Sequence, residues 1–152
     1  GNTISFAKFF NKVIAVEIDK KRFDFLNINI ENYNFNNIET VNKDFIESLH
    51  DFNEVIDAIF VDPPWGGPNY KYDENLDIKL SGLDLSEICD LIGNYSYQNQ
   101  SIKMIILKLP YNYDYLSIIN QCKKIIKVYN IHKDGNVNYL FIMINSVVEK
   151  KV

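Results

Sequence analysis

The segment DPPWGGPNY, residues 62–70, carries the residue types and spacing best suited to chemistry. Pro63 and Pro64 fix the backbone and lack amide N–H donors, so the carbonyls of Asp62 and Pro63 remain as hydrogen-bond acceptors. The carboxylate of Asp62 is a further acceptor. Such acceptors suit an exocyclic amine, because they can hold its hydrogens while its lone pair faces an electrophile. Trp65 offers a large flat face for a nucleobase.

Two glycines continue this segment. Gly66 and Gly67 permit backbone torsions and close approaches that a side chain would block. The alternative interpretation of the segment is a proline-glycine loop with one partly buried tryptophan. Because the string directly follows the apolar stretch IDAIFV at residues 56–61, we favour a binding site over that alternative.

A second candidate is an acidic residue after another apolar stretch. Glu17 follows VIAV, and an acid at such a strand end commonly accepts hydrogen bonds from ribose hydroxyls. The glycine-rich opening that accompanies this pattern is represented here only by its last part, Gly1, Asn2 and Thr3. A solvated surface acid is the alternative interpretation of Glu17.

Other residues near predicted strand ends carry weaker signals. Asp44 could accept from an adenine amino group while Phe45 packs on its ring, but Asp44 is equally well explained as a helix N-cap. A group of tyrosines flanks two of the predicted loops and predicts either a base-binding cleft or ordinary loop packing. These tyrosines are Tyr70, Tyr72, Tyr111, Tyr113 and Tyr115.

The hydrophobic pattern predicts the scaffold that must position these residues. Apolar runs typical of strands occupy residues 13–18, 38–41, 56–61, 102–109 and 139–144. Helical spacing of apolar residues occurs at 4–10, 20–33 and 85–92, and again from residue 116 into a strand near 125–131. Asp134-Gly135-Asn136 predicts a final hairpin.

Strands that alternate with helices are typical of an α/β domain with three layers and a mainly parallel sheet. We expect one such domain over residues 1–152. Ligands bind at the carboxyl ends of the strands in these sheets. Glu17, Asp44, Asp62 and Pro110 all fall at predicted carboxyl ends.

The composition excludes several classes of protein. The chain has 152 residues, 47% hydrophobic and 24% charged, which is typical of a globular domain. No apolar run approaches the roughly 20 residues that a membrane span needs. The net charge of −4 argues against nucleic-acid binding by overall charge, so any such contact must be local. His50 and His132 lack companion ligands at metal-binding spacing, and Cys89 is predicted to face the core.

Taken together, these segments resemble the trimethylguanosine synthase family, class I methyltransferases that modify the 2-amino group of a 7-methylguanosine RNA cap. GNTISFA at residues 1–7 looks like the end of the family's glycine-rich motif, and VIAVEID at 13–19 is similar to its ribose-binding strand. KDF at 43–45 looks like the adenine-side motif. The GGP-x-Y continuation of DPPWGGPNY is the most specific part of the resemblance, and Asn29 falls where the family has an asparagine.

The resemblance implies a class I, Rossmann-like α/β fold with a mainly parallel sheet, whose first strand would precede Gly1, so we expect a catalytic domain truncated at its N-terminus. It implies S-adenosylmethionine as the cofactor, no metal, and a 7-methylguanosine-capped RNA of the small nuclear or small nucleolar type in the nucleus or cytoplasm. The implied cofactor-binding residues are Gly1, Asn2, Thr3, Glu17, Asp44, Phe45 and Asp62. The implied catalytic residues are Asp62, Pro63, Pro64 and Trp65. The implied substrate-binding residues are Asn29, Trp65, Gly66, Gly67, Tyr70 and Tyr111.

Two departures from the family pattern leave alternatives open. Asp62 stands where the family usually has serine, and aspartate is the residue of methyltransferases that act on the exocyclic amine of adenine. Tyr111 stands where the family tends to carry an arginine that binds cap phosphate. An adenine amine methyltransferase, which Asp62 favours, is therefore one alternative function. A non-catalytic cap- or RNA-binding fragment is the other, and the start of the sequence inside the glycine-rich motif at Gly1 favours it.

Overall fold

The computed structural model describes residues 1–73, 76–121, 125–133 and 135–145. The chain forms two compact units, an N-terminal unit of Gly1–Phe52 and a C-terminal unit of Asn53–Val152. No helix in the described ranges is both long enough and apolar enough to cross a bilayer. The organisation of the chain as a single domain stays a prediction.

The N-terminal unit alternates helices and strands. Its elements in chain order are α1 (Asn2–Ala7), β1 (Val13–Val16), α2 (Lys20–Tyr33), β2 (Ile38–Val41) and α3 (Phe45–Asp51). β1 and β2 pair in parallel, with Val13 opposite Ile38 and Val16 opposite Val41. A parallel pair needs a crossover connection, and α2 supplies it. The carboxyl ends of both strands therefore lie at one edge of this pair.

Helix α2 spans the predicted residues because both of its ends are specified locally. The side chain of Asp19 accepts from the backbone N–H of Arg22 at 2.8 Å, and this N-cap satisfies a donor that the first turn would leave unpaired. Asn34 ends the helix in the left-handed conformation with φ of 55°. Helix α1 is shorter than predicted, since it ends at Ala7 and leaves Phe10 outside it and exposed.

The C-terminal unit contains the larger sheet. Its elements are β3 (Ala58–Val61), a 3-10 helix (Pro68–Tyr72), β4 (Lys79–Leu80), β5 (Leu83–Asp84), α4 (Leu85–Asn94), β6 (Ser96–Tyr97), β7 (Gln100–Ser101), β8 (Met104–Pro110), α5 (Leu116–Gln121), β9 (Ile125–Lys133) and β10 (Asn136–Asn145). The strand order in the four-stranded sheet is β3-β8-β10-β9. β3 and β8 are parallel, whereas β10 is antiparallel to both β8 and β9.

The parallel pairings expected from the strand–helix alternation are thus β1–β2 and β3–β8. The predicted final hairpin makes the remaining long pairings antiparallel, so the sheet is mixed rather than mainly parallel. Of the residues assigned to the hairpin turn, Asp134 lies outside the described residues, whereas Gly135 has the positive φ of 81° that a tight turn requires.

Strand β8 runs through the core of the C-terminal unit. Ile105, Leu107 and Leu109 are fully buried, whereas Met104, Ile106 and Lys108 on the alternate positions are only partly buried. Helix α4 contributes the predicted apolar stripe, because Leu85, Ile88, Cys89 and Ile92 are all buried. This packing fixes β8, and with it the residues at its carboxyl end.

Candidate active site

Six of the nine residues of DPPWGGPNY line a pocket at the carboxyl ends of β3 and β8 in the C-terminal unit. The pocket has a volume of about 370 Å³. It is lined by Asp62, Pro63, Trp65, Gly67, Pro68, Tyr70 and Lys108. We call it the Trp65 pocket. Three residues that the sequence predicted for this site, Pro64, Gly66 and Tyr111, are not part of the lining.

Two aromatic rings form one wall of the Trp65 pocket. The rings of Trp65 and Tyr70 meet edge to face, with centroids 5.2 Å apart and planes at 75°. The indole N–H of Trp65 is buried and has no acceptor among the described residues. The Trp65 ring is therefore held by contacts with its neighbours rather than by a hydrogen bond of its own.

Gly66 and Gly67 place the chain in conformations that favour glycine. Their φ angles are 92° and 88°, a region that side-chain-bearing residues rarely adopt. A Cβ atom added at either position meets nothing within 4 Å among the described residues. The glycines are thus required by backbone torsion, and the predicted close approach is not made by any described part of the chain.

Lys108 and Asp62 form an ion pair across the Trp65 pocket. The Lys108 Nζ lies 2.9 Å from Asp62 Oδ2, and the two side chains are 23% and 33% exposed. The ammonium also lies 5.5 Å from the centroid of the Trp65 ring and 5.4 Å from that of Tyr139. Sequence reasoning missed Lys108. A usable signal was present, because Lys103 and Lys108 are the two charged residues in the otherwise apolar run at residues 102–109.

Asn112, also missed, ties the end of β8 to the loop that carries Tyr70. Its Nδ2 donates to the carbonyl of Tyr70 at 2.9 Å and to that of Asp73 at 2.8 Å. The first carbonyl lies within the 3-10 helix Pro68–Tyr72 and the second belongs to its C-cap residue, so the bonds anchor the segment that places the Tyr70 ring against Trp65.

We expect replacement of Asn112 by alanine to lower the free energy of unfolding by about 1–2 kcal/mol, because two carbonyls lose a donor. Chemical denaturation with urea measures this change. Asn11→Ala, at an exposed bend outside the helices and strands, is the matched control and should leave the midpoint of urea unfolding unchanged. Equal midpoints for the Asn112 variant and the wild type would show that the loop does not depend on Asn112.

The predicted tyrosine cleft is only partly present. Of that group, Tyr70 lines the Trp65 pocket, whereas Tyr113 lines a second cavity of about 290 Å³. Tyr111 follows β8 and is 45% exposed. Tyr72 is exposed as well.

A second group of predicted residues meets at one edge of the β1–β2 pair in the N-terminal unit. The backbone N–H of Glu17 donates to the Val41 carbonyl at 3.0 Å, which extends the parallel pairing beyond β1. The Nδ2 of Asn42 donates to the carbonyls of Glu17 and Ile18 at 2.7 and 3.2 Å. These contacts hold Glu17 beside the segment that leads into α3 and carries Asp44.

The side chains at this edge combine an acceptor with apolar surface. Glu17 is half-buried, and its Oε1 accepts from the backbone N–H of Asp19 at 2.9 Å. Ile18 is 66% exposed, and Phe45 is half-buried at the start of α3. A carboxylate suits ribose hydroxyls and the apolar side chains suit the face of a base, so the edge fits a nucleoside.

Asp44 is the N-cap residue of α3, which was the alternative interpretation of this residue. Its side chain accepts from the backbone N–H of Ile46 at 2.8 Å and caps α3. The carboxylate therefore fixes the start of the helix that carries Phe45. An additional contact with adenine stays a prediction.

The remaining site residues of the N-terminal unit lie on its helices. Gly1 is the N-cap residue of α1, and Asn2 and Thr3 occupy its first turn. The end of α1 is tied to the start of β2, since the Nδ2 of Asn37 donates to the Ala7 carbonyl at 2.9 Å. Asn29 lies on an exposed position of α2. A role for these four residues in binding cofactor or substrate stays a prediction.

Comparison with solved structures identifies the fold. The delta-N METTL16 methyltransferase domain matches 96% of this chain and 66% of that domain, with a TM-score of 0.66 at 17% identity. SMU.1697c from Streptococcus mutans, solved in complex with SAH, matches 95% of this chain and 81% of that protein, with a TM-score of 0.62 at 12% identity. An rRNA methylase from Streptococcus thermophilus matches 95% and 79%, with a TM-score of 0.61 at 13% identity. The predicted class I methyltransferase fold is confirmed.

Sequence comparison identifies curated relatives. The chain is 34% identical over 134 residues to the uncharacterized protein L320 of Acanthamoeba polyphaga mimivirus, covering 88% of this chain and 49% of that protein. It is 35% identical over 75 residues to the trimethylguanosine synthase of Schizosaccharomyces pombe, covering 46% of this chain and 31% of that enzyme. The matched region spans half or less of the length of these relatives.

The family itself follows from the match along nearly the whole chain. The model of the family described as RNA cap guanine-N2 methyltransferase matches residues 1–147, which include both the β1–β2 edge and the Trp65 pocket. The predicted resemblance is thereby confirmed. This chain belongs to the RNA cap guanine-N2 methyltransferase family.

Proposed function

We propose that this chain is the catalytic part of an S-adenosylmethionine-dependent methyltransferase that acts on the exocyclic 2-amino group of a 7-methylguanosine RNA cap. The observation that carries the proposal is the convergence of Asp62, Pro63, Trp65 and Tyr70, all from DPPWGGPNY, on one pocket. Membership of the cap guanine-N2 family supports the same reaction and substrate.

Trp65 binds the base in this proposal. A 7-methylguanine carries a positive charge, so stacking on the indole gains a cation–π contribution of about 0.5–2 kcal/mol. The edge-to-face contact with Tyr70 keeps the indole in place. An already methylated cap is therefore preferred over an unmethylated one.

Asp62 and Pro63 orient the guanine amine. Proline at residues 63 and 64 removes backbone donors that would repel the amine hydrogens, and the carboxylate of Asp62 accepts from them. When bound, S-adenosylmethionine supplies an electrophilic methyl group. The residues accelerate the transfer mainly by positioning. The alkylated amine then releases its proton to solvent water, which reaches the Trp65 pocket because the side chains of Asp62 and Lys108 are 33% and 23% exposed.

The strand edge of the N-terminal unit binds the nucleoside part of the cofactor. The half-buried Glu17 carboxylate accepts from the ribose hydroxyls, and Ile18 and Phe45 contact the adenine. Asp44 holds the start of α3 and so positions Phe45. This assignment predicts that cofactor binding depends on Glu17.

Replacement of Glu17 by alanine should weaken binding of S-adenosylmethionine about 10- to 100-fold, since hydrogen bonds to a charged group contribute about 1.5–3 kcal/mol. Isothermal titration calorimetry on this 152-residue chain measures the dissociation constant. The control is Glu39→Ala, which removes an exposed carboxylate of β2 that pairs with Lys12. If wild-type chain releases no heat with S-adenosylmethionine, the non-catalytic fragment is the better assignment. Equal affinities for the wild type and the Glu17 variant would instead remove Glu17 from the cofactor site.

A second candidate function is methylation of the exocyclic amine of adenine, which Asp62 favours because serine is usual at this position in the family. Methyl transfer from isotopically labelled S-adenosylmethionine separates the two. We expect label to enter a 7-methylguanosine cap analogue and not an adenine-containing oligonucleotide. Label in the oligonucleotide alone would overturn the cap assignment. The class of capped RNA, small nuclear or small nucleolar, and a nuclear or cytoplasmic location stay predictions from the family.

A further inference from the structure

The ion pair between Asp62 and Lys108 is set by strand register rather than by local sequence. β3 and β8 are parallel, with Val61 opposite Leu107, so the next residues along the two strands are Asp62 and Lys108. Their charged atoms lie 2.9 Å apart. Neither Lys108 nor Tyr139, the second ring near its ammonium, belongs to the DPPWGGPNY segment.

An equivalent pair exists at the opposite end of the same two strands. Asp57 precedes β3, Lys103 precedes β8, and the two side chains form an ion pair. These side chains are 67% and 64% exposed, compared with 33% for Asp62 and 23% for Lys108. The register thus produces two similar pairs, of which one lines the Trp65 pocket and the other serves as a matched control.

The charges of Asp62 and Lys108 act on any base that stacks on Trp65. The Lys108 ammonium lies 5.5 Å from the indole centroid, where it repels a cationic base and leaves an uncharged base largely unaffected. The Asp62 carboxylate attracts the same cationic base. Because the two groups are in contact, a base on Trp65 meets a nearly balanced pair, and the loss of either partner exposes it to the charge of the other.

We propose that the Asp62–Lys108 ion pair determines how strongly the pocket prefers a cationic 7-methylguanine over an uncharged guanine, with Lys108 limiting that preference. This inference rests on the proposed function. Lys108 is a specificity-determining residue, and the pair lets this chain carry aspartate at residue 62 without an uncompensated negative charge beside the base.

The test compares two cap analogues, m7GpppG and GpppG, that differ by one methyl group and one charge on the base. Trp65 is the single tryptophan of the chain, so quenching of its fluorescence reports binding at this pocket. The quantity measured is the ratio of the two dissociation constants. Since both analogues carry the same triphosphate, any contact of Lys108 with phosphate cancels in this ratio.

We expect Lys108→Met to raise the preference for m7GpppG on the order of tenfold, and Asp62→Asn to lower it by a similar factor, because each variant exposes the remaining charge. The double variant should return close to the wild-type ratio. Lys108→Arg, which keeps the charge, and Lys103→Met, which breaks the control pair, should leave the ratio unchanged.

Four results would overturn the inference. If Lys108→Met weakens both analogues equally, Lys108 binds phosphate and does not select the base. If Asp62→Asn and Lys108→Met shift the ratio in the same direction, the balance of charges is not the cause. If the wild type binds neither analogue, the proposed function fails together with the inference. If the wild type prefers m7GpppG and the variants keep the same ratio of dissociation constants, only the inference fails.

Discussion

Replacement of Trp65 by alanine should abolish most of the affinity for a 7-methylguanosine cap analogue while leaving the affinity for S-adenosylmethionine unchanged. Stacking of a base on an aromatic side chain contributes about 1–3 kcal/mol, and the charge of the base adds about 0.5–2 kcal/mol. A combined loss of about 1.5–5 kcal/mol corresponds to an increase in the dissociation constant of about 10- to 5,000-fold. Isothermal titration calorimetry with each ligand measures both quantities.

Two controls make this result specific. Trp65→Phe keeps a smaller aromatic face and should retain part of the affinity. Tyr129→Ala removes a 45% exposed ring of β9 that does not line the Trp65 pocket, and it should bind the cap analogue normally. Normal cap affinity in Trp65→Ala would remove this residue from the base-binding site, and loss of S-adenosylmethionine binding as well would indicate a folding defect instead.

The sequence predicted those elements whose signals are local. Helix α2 matched its expected span because Asp19 caps it and Asn34 ends it, and both signals lie beside the helix. Strand β8 was recognisable because residues 102–109 are apolar apart from Lys103 and Lys108, and its alternate residues Ile105, Leu107 and Leu109 are buried. The same locality explains DPPWGGPNY, whose prolines, glycines and aromatic residues form one continuous segment.

The missed features depend on pairing between distant segments. The Asp62–Lys108 ion pair joins residues 46 positions apart and exists only because β3 and β8 adopt one particular register. Asn112 similarly reaches carbonyls of Tyr70 and Asp73. Apolar periodicity specifies neither the partner of a strand nor its register, so these contacts needed the structure.

Short hairpins were missed for a different reason. β4–β5 and β6–β7 are pairs of two-residue strands, too short for any periodic pattern. Each is joined by two residues with positive φ, Ser81-Gly82 in the first and Gln98-Asn99 in the second. Turn chemistry alone could have indicated them, as serine-glycine is a common turn dipeptide.

The second large effect is expected at Asp62. Asp62→Ala should lower kcat for methyl transfer to a 7-methylguanosine cap analogue by about 100-fold, because the amine loses a positioning contact and small misplacements of a reacting group have effects of that order. The measurement is made at saturating cap analogue, so that weaker binding caused by the unbalanced Lys108 does not enter kcat. Asp57→Ala breaks the equivalent pair at the other end of β3 and β8 and should leave kcat unchanged.

Comparison with Asp62→Ser separates the two proposed roles of Asp62, which are to position the amine and to balance the charge of Lys108. Serine is the residue usual in the family, and its hydroxyl oxygen can still accept from the amine, so most of the kcat lost in Asp62→Ala should be restored. The hydroxyl carries no charge, however, and it cannot balance Lys108. Asp62→Ser should therefore recover kcat but not the preference for the charged cap. If alanine and serine gave equal kcat values, the acceptor oxygen at residue 62 would have no part in positioning the amine, and the backbone carbonyls of the segment would have to hold it alone.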